Sequence, residues 1–108
     1  MTEKASIMNN LDVAISAGGD SGLAEALKVS EKAIEITDAP IPNLYETRGQ
    51  ILYQMKRYRD AIPDLERALA AQSLRATSHR TLADCYAKLG DAELSKRHRE
   101  AASKWEEQ

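Results

Sequence analysis

Two stretches, "LAEALKVSEKAIEI" (residues 23–36) and "YRDAIPDLERALAA" (residues 58–71), are two versions of one amphipathic helix. In both stretches apolar residues recur every three or four positions, which is the period of an α-helix with one buried face. Adding 35 to the number of Ala26 leads to Ala61, and adding 34 more leads to Ser95, so a small residue recurs at one place. The chain therefore contains a repeated helix.

Helical periodicity extends over six segments of the chain. They span approximately residues 4–17, 22–37, 43–55, 58–71, 75–89 and 91–106. Short breaks rich in Gly, Pro and Asp separate several of them, and helices joined so closely pack as antiparallel neighbours. Since each helix pair leaves an apolar face that only a neighbouring pair can cover, we expect one all-α domain over residues 1–108. Its repeat units are expected at about residues 5–40, 42–75 and 76–106.

The first helix of each pair is repeated as well, since "YETRGQIL" (residues 45–52) aligns with "HRTLADCY" (residues 79–86). In the middle unit, large and small residues alternate at fixed places: Tyr45, Gly49, Leu52, Ala61, Leu65 and Ala68. With these residues the chain resembles the tetratricopeptide repeat family, whose pattern is W-x2-L-G-x2-Y followed by A-x3-F. The resemblance implies a short α-solenoid, a right-handed superhelical array of three antiparallel helix pairs.

Two features depart from a regular repeat. Pro63 falls in the second turn of the fourth segment, where it removes one helical hydrogen bond, so we expect a local kink or a late start of that helix. In the last unit, His79 and Arg99 stand where the family places large apolar residues.

The resemblance also implies a function, because proteins of this family bind peptides or other proteins in the concave groove lined by the first helix of each pair. The residues that the alignment places in this groove are Asn9, Glu46, Gln50, Tyr53, Gln54, Arg80, Asp84 and Lys88. This set favours a polar peptide segment as ligand, with Tyr53 as an aromatic anchor and the charged groups orienting it. The same mixture of charges also fits an ordinary solvated helix surface.

A partly apolar stripe on the last segment gives a second hypothesis. It consists of Leu94, His98, Ala101 and Trp105, at spacings of four, three and four. Either the last helix caps the array and Trp105 folds back onto it, or the stripe contacts a second copy in a homodimer. A third interpretation is that the chain is a fragment of a longer repeat protein whose next domain covers the stripe.

Composition and missing motifs exclude several other classes of protein. Fifteen Lys and Arg against seventeen Asp and Glu give a net charge of −2, which disfavours nucleic-acid binding, and no apolar run is long enough for a membrane span. A single cysteine rules out an internal disulfide, and His79 and His98 lack a metal-ligand spacing. Catalytic motifs are absent, so we expect a non-enzymatic protein without a cofactor or metal. The N-terminal residues lack the apolar run of a secretory signal, so we expect a cytoplasmic location.

Overall fold

The computed structural model describes residues 20–106, which form a series of α-helices. The five helices are α1 (Asp20–Glu35), α2 (Pro42–Gln54), α3 (Tyr58–Ala68), α4 (Arg75–Lys88) and α5 (Ala92–Glu106). Within this range the chain contains no strand, which confirms the predicted all-α class. The predicted helix at residues 4–17 lies outside the described residues. The right-handed twist and the division into three units therefore stay predictions.

Each helix packs against the next along the chain, and α2 with α3 and α4 with α5 make the two closest pairs. One cluster of buried residues runs continuously through α1 to α4 and includes two residues from each of these helices. They are Ala26, Leu27, Ile51, Leu52, Ala61, Leu65, Leu82 and Cys85. This continuity is expected of a repeat array, because the apolar face of one pair is covered by its neighbour.

The turns that close α2 and α4 have the same geometry. Lys56 and Gly90, which are 34 positions apart, both have a positive φ, 64° and 87°. In the first turn the amide of Arg57 donates to the carbonyl of Leu52 at 2.9 Å, and the second turn has the equivalent bond at 2.9 Å. Both helices thus end in a Schellman motif, which satisfies carbonyls that the helix leaves without partners.

Helices α2 and α3 approach each other closely at Gly49. A Cβ atom at this position would lie 2.9 Å from Cγ of Leu65, which is closer than real side chains come. Ala61 and Ala68 of α3 are completely buried. The predicted alternation of large and small residues therefore corresponds to the packing of this helix pair.

Helix α3 starts at Tyr58, as predicted, but its end differs from the prediction. It continues through the exposed Pro63, so a late start, one of the two alternatives expected there, does not occur, and a local kink stays a prediction. The helix ends at Ala68, earlier than the predicted residue 71, because the next three amides bond to carbonyls three residues back rather than four. Such tightened bonds end an α-helix. A short 3₁₀ helix, Gln72–Leu74, then leads into α4.

Candidate functional site

Polar side chains of α2 and α4 meet in a chain of hydrogen bonds. The amide nitrogen Nε2 of Gln50 donates to Oε2 of Glu46 at 2.7 Å and to Oγ1 of Thr81 at 2.8 Å. The hydroxyl of Thr81 donates in turn to the carbonyl of Thr77 at 3.2 Å. Gln50 on α2 is therefore fixed against α4 by groups that are themselves held in place.

A second contact between the same helices lies one turn further along. The hydroxyl of Tyr53 donates to Oδ2 of Asp84 at 3.2 Å, and its ring lies 5.8 Å from the ring of Tyr58 at an angle of 60°. Burial and the negative charge of Asp84 raise the pKa of Tyr53 above its usual value. The phenol therefore stays protonated at neutral pH and remains a hydrogen-bond donor.

These contacts bring together four of the predicted groove residues, which are partly buried: Glu46, Gln50, Tyr53 and Asp84. With Thr81 they form what we call the α2–α4 surface. Three other predicted residues are exposed on the same helices: Gln54, Arg80 and Lys88. Among these, Arg80 forms an ion pair with Glu106 of α5. The remaining prediction, Asn9, lies outside the described residues.

Thr81 is absent from the predicted groove set, although it joins the two helices. Thr81 is only 8% exposed, which is unusual for a polar residue. The sequence contains a clue, since both cross-helix contacts join residues 31 positions apart. Because Gln50 and Tyr53 are one turn apart on α2, their partners Thr81 and Asp84 are one turn apart on α4. Two side-by-side helices of a 34-residue repeat place such pairs together.

The α2–α4 surface offers fixed acceptors rather than reactive groups. Carboxylates of Glu46 and Asp84 and the amide oxygen of Gln50 can accept hydrogen bonds from a peptide backbone or polar side chain. The nearby Cys85 is buried, and burial, with the charge of Asp84, raises the pKa of its thiol to about 11. The thiol therefore stays protonated at neutral pH and is a poor nucleophile. Among residues 20–106, no three His, Cys, Asp or Glu side chains lie close enough to share a metal ion.

All four residues of the predicted stripe on α5 are partly buried: Leu94, His98, Ala101 and Trp105. Two of them contact α4. His98 places its Nδ1 3.0 Å from Nδ1 of His79, and the guanidinium of Arg75 lies 4.6 Å from the centre of the Trp105 ring. In this arrangement α5 covers α4 with part of its stripe.

Comparisons with known proteins identify one family. Residues 40–108 match a family model described as tetratricopeptide repeat, and this range includes α2 to α5 with the whole α2–α4 surface. A comparison with curated proteins finds no match. None of the helices in residues 20–106 has the length and apolar character needed to cross a membrane.

Proposed function

The chain belongs to the tetratricopeptide repeat family, and we propose that it is a non-enzymatic module that holds a segment of another protein on the α2–α4 surface. Members of this family generally mediate contacts between proteins. The observation that carries the proposal is the pair of hydrogen bonds between α2 and α4, from Gln50 to Thr81 and from Tyr53 to Asp84.

These hydrogen bonds support binding because they fix the side chains before a ligand arrives. Ordering a long polar side chain on binding costs about 0.5–1.5 kcal/mol, so groups that are already held lose less free energy. Within residues 20–106, the second carboxylate oxygens of Glu46 and Asp84 accept no hydrogen bond from protein side chains, so they can accept bonds from a ligand. The ring of Tyr53 supplies an apolar contact beside them.

The exposed residues at the edges of this surface would orient the ligand. Lys88 lies one turn beyond Asp84 on α4, and Arg80 lies one turn before it. Charges at the rim of an interface affect the association rate and the choice of partner more than the affinity. The proposed ligand is thus a polar peptide segment whose backbone bonds to the carboxylates and whose charged side chains meet the rim.

Binding through this surface can be tested with a photo-crosslinking amino acid. Replacing the exposed Gln54 by benzoylphenylalanine puts the crosslinker on the rim, and the same replacement at the exposed Lys96 puts it on α5. In a host lysate, we expect a protein to be crosslinked from position 54 and not from position 96. The captured protein is then identified by mass spectrometry, and its affinity for the chain is measured.

A pair of matched variants then tests the side chains themselves. Changing Tyr53 and Arg80 together to Ala is expected to weaken the measured affinity at least tenfold, which corresponds to about 1.4 kcal/mol. The control variant changes Glu93 and Arg97 to Ala, which removes an exposed ion pair on α5. Equal affinities of the two variants, with both folded by circular dichroism, would place the binding site elsewhere.

Self-association through α5 has less support as a function. His98 and Trp105 of the stripe contact α4 within the same chain, and such contacts leave less of their surface for a second copy. The proposal also includes a cytoplasmic location and no nucleic-acid partner, for which the support is the composition and the net charge of −2.

A further inference from the structure

The only two histidines of the chain face each other between α4 and α5. Nδ1 of His79 lies 3.0 Å from Nδ1 of His98, a hydrogen-bond distance, and both rings are partly buried. The ring of His98 also stacks on Tyr86 of α4, with a centroid distance of 5.5 Å and an angle of 2° between the planes. The pair thus holds α5 against α4 at a defined point.

A hydrogen bond between two ring nitrogens requires one donor and one acceptor, so its existence depends on protonation. With both rings neutral, one Nδ1 carries the hydrogen and the other supplies a lone pair. With one ring protonated, the bond persists between an imidazolium and a neutral ring. When both rings are protonated, two N–H groups and two positive charges face each other at this distance. The docked pair can therefore hold one added proton but not two.

The groups around the pair favour its neutral form. Burial lowers the pKa of His79, and the positive charges of His98 and Arg75 on α4 lower it further. Burial also lowers the pKa of His98, while Glu66 on α3 acts in the opposite direction and is outweighed. Tyr86 of α4 is neutral at physiological pH, since burial raises the pKa of its phenol. The charge of Glu66 therefore offsets only part of the cost of adding protons to the pair.

We propose that the hydrogen bond between His79 and His98 is a proton-operated latch, which keeps α5 docked on α4 at neutral pH and releases it under acidic conditions. Released histidines take up protons as the pH falls through about 6.5, whereas the docked pair resists the second proton. The stabilisation that the pair gives to the docked α5 is therefore fully present above this pH, and it is lost as the pH falls towards the lower pKa values of the docked rings. For each proton that the released state binds in addition to the docked state, the equilibrium constant for release rises up to about tenfold when the pH falls by one unit.

Release of α5 changes two surfaces at once. It uncovers the face of α4 on which His98 and Trp105 pack, and it breaks the ion pair between Arg80 and Glu106. Because Arg80 lies at the rim of the α2–α4 surface, acid would free this cation next to a bound ligand. The latch itself needs no ligand and does not depend on the proposed function.

Hydrogen exchange of the full chain at pH 7.5, 6.5, 5.8 and 5.0 tests the latch. Mass spectrometry of proteolytic fragments separates α5 from α2 and α3, and the rates are corrected for the intrinsic pH dependence of exchange. We expect the opening constant of α5 to rise about tenfold per pH unit below 6.5, while α2 and α3 keep their protection. Trp105 is the only tryptophan, so its fluorescence reports the loss of its contact with Arg75 in the same samples.

The control is the double variant His79→Gln with His98→Gln, which retains amide hydrogen bonding but has no imidazole to titrate. We expect its α5 to show no more pH dependence than its α2. If the variant and the natural chain lose α5 protection equally on acidification, the latch is overturned. If the variant does not fold, the titration of the histidine Cε1–H resonances in the natural chain decides. A midpoint of 6.5 or above for the second of the two protonations would contradict the latch, and a midpoint below 6.5 for that step would support it.

Discussion

Arg48 on α2 and Asp64 on α3 form an ion pair through two parallel hydrogen bonds. Nε of Arg48 donates to Oδ2 at 2.6 Å, and Nη2 donates to Oδ1 at 2.9 Å. The side chain of Asp64 is only 2% exposed, and Arg67 adds a third bond to it at 3.1 Å. A buried carboxylate with three charged donors is satisfied, and it fixes how the two helices pair.

Changing Arg48 to Met should destabilise the protein strongly. The carboxylate of Asp64 would stay buried, and its remaining donor, Arg67, is 55% exposed. Removing one partner of a buried pair costs about 3–5 kcal/mol, and we expect about 3 kcal/mol here because Arg67 remains. Urea unfolding followed by circular dichroism measures this difference in the free energy of unfolding.

The matched control is Arg57→Met, which breaks an ion pair with Asp60 whose side chains are 49% and 55% exposed. Exposed pairs contribute at most about 1 kcal/mol, so this change should be small. A double variant, Arg48→Met with Asp64→Leu, should regain part of the loss, because no unpaired charge remains in the interior. Equal losses for Arg48→Met and Arg57→Met would contradict the role of burial.

Changing Lys56 to Gly should stabilise the protein. Lys56 lies in the turn that follows α2 and has a φ of 64°, a conformation that costs a residue with a Cβ about 1 kcal/mol and that glycine adopts freely. We therefore expect a gain approaching 1 kcal/mol in the free energy of unfolding, which thermal and urea unfolding would measure. The gain is reduced because glycine has more conformational freedom in the unfolded chain.

The reverse change, Gly90→Ala, tests the same explanation in the turn that follows α4. Gly90 has a φ of 87°, and an added Cβ there would have no atom within 4 Å, so no clash contributes. A loss of about 1 kcal/mol would then come from the backbone alone. If both changes lowered the stability, the turn geometry would not be the cause.

The sequence predicts the helices and their small residues well because both follow from local periodicity. The spacing of Ala26 and Ala61 locates two helices, and Gly49 marks a close approach that the structure contains. It also predicts that Gln50 and Tyr53 lie beside α4, since one repeat period relates the two helices. Contacts between residues that the repeat period places side by side can therefore be predicted from the sequence.

Contacts that depend on the rotation of one helix against another could not be predicted in this way. Asp64 looks like an ordinary charged helix residue, and its burial depends on Arg48 being directed at it from α2. The meeting of His79 with His98 requires a particular register between α4 and α5. The salt bridge between Arg80 and Glu106 could likewise not be predicted from the sequence, although the alignment places Arg80 in the groove.

Changing Ser95 to Ala should also increase the stability. Ser95 is 3% exposed, and its hydroxyl has no hydrogen-bond partner among the described residues. An unsatisfied buried hydroxyl costs about 1–3 kcal/mol, and the corresponding positions on α1 and α3 are the alanines Ala26 and Ala61. We expect a gain of about 1 kcal/mol in urea unfolding.

Ser103→Ala is the control for Ser95, because Ser103 is exposed on the same helix. Its replacement should change the free energy of unfolding by less than about 0.5 kcal/mol. A gain from Ser103→Ala as large as that from Ser95→Ala would point to helix propensity, since both changes put alanine into α5.

Changing Gly49 to Ala should destabilise the protein, although alanine is the better helix former. Alanine in place of glycine inside a helix gains about 1 kcal/mol, while overpacking a core costs about 1–3 kcal/mol. The new Cβ would lie 2.9 Å from Cγ of Leu65 and 3.3 Å from Cβ of Asp64, and neither atom is the free end of a side chain. Since both neighbours are buried, they cannot move away without shifting α3, and the clash should outweigh the gain. Urea unfolding tests this by measuring the effect of Gly49→Ala in two backgrounds, the natural chain and the Leu65→Ala variant. In the second background the obstructing side chain is removed. Adding Gly49→Ala to the natural chain should lower the stability, whereas adding it to Leu65→Ala should raise it; a rise in both backgrounds would show that α2 and α3 have room at this crossing.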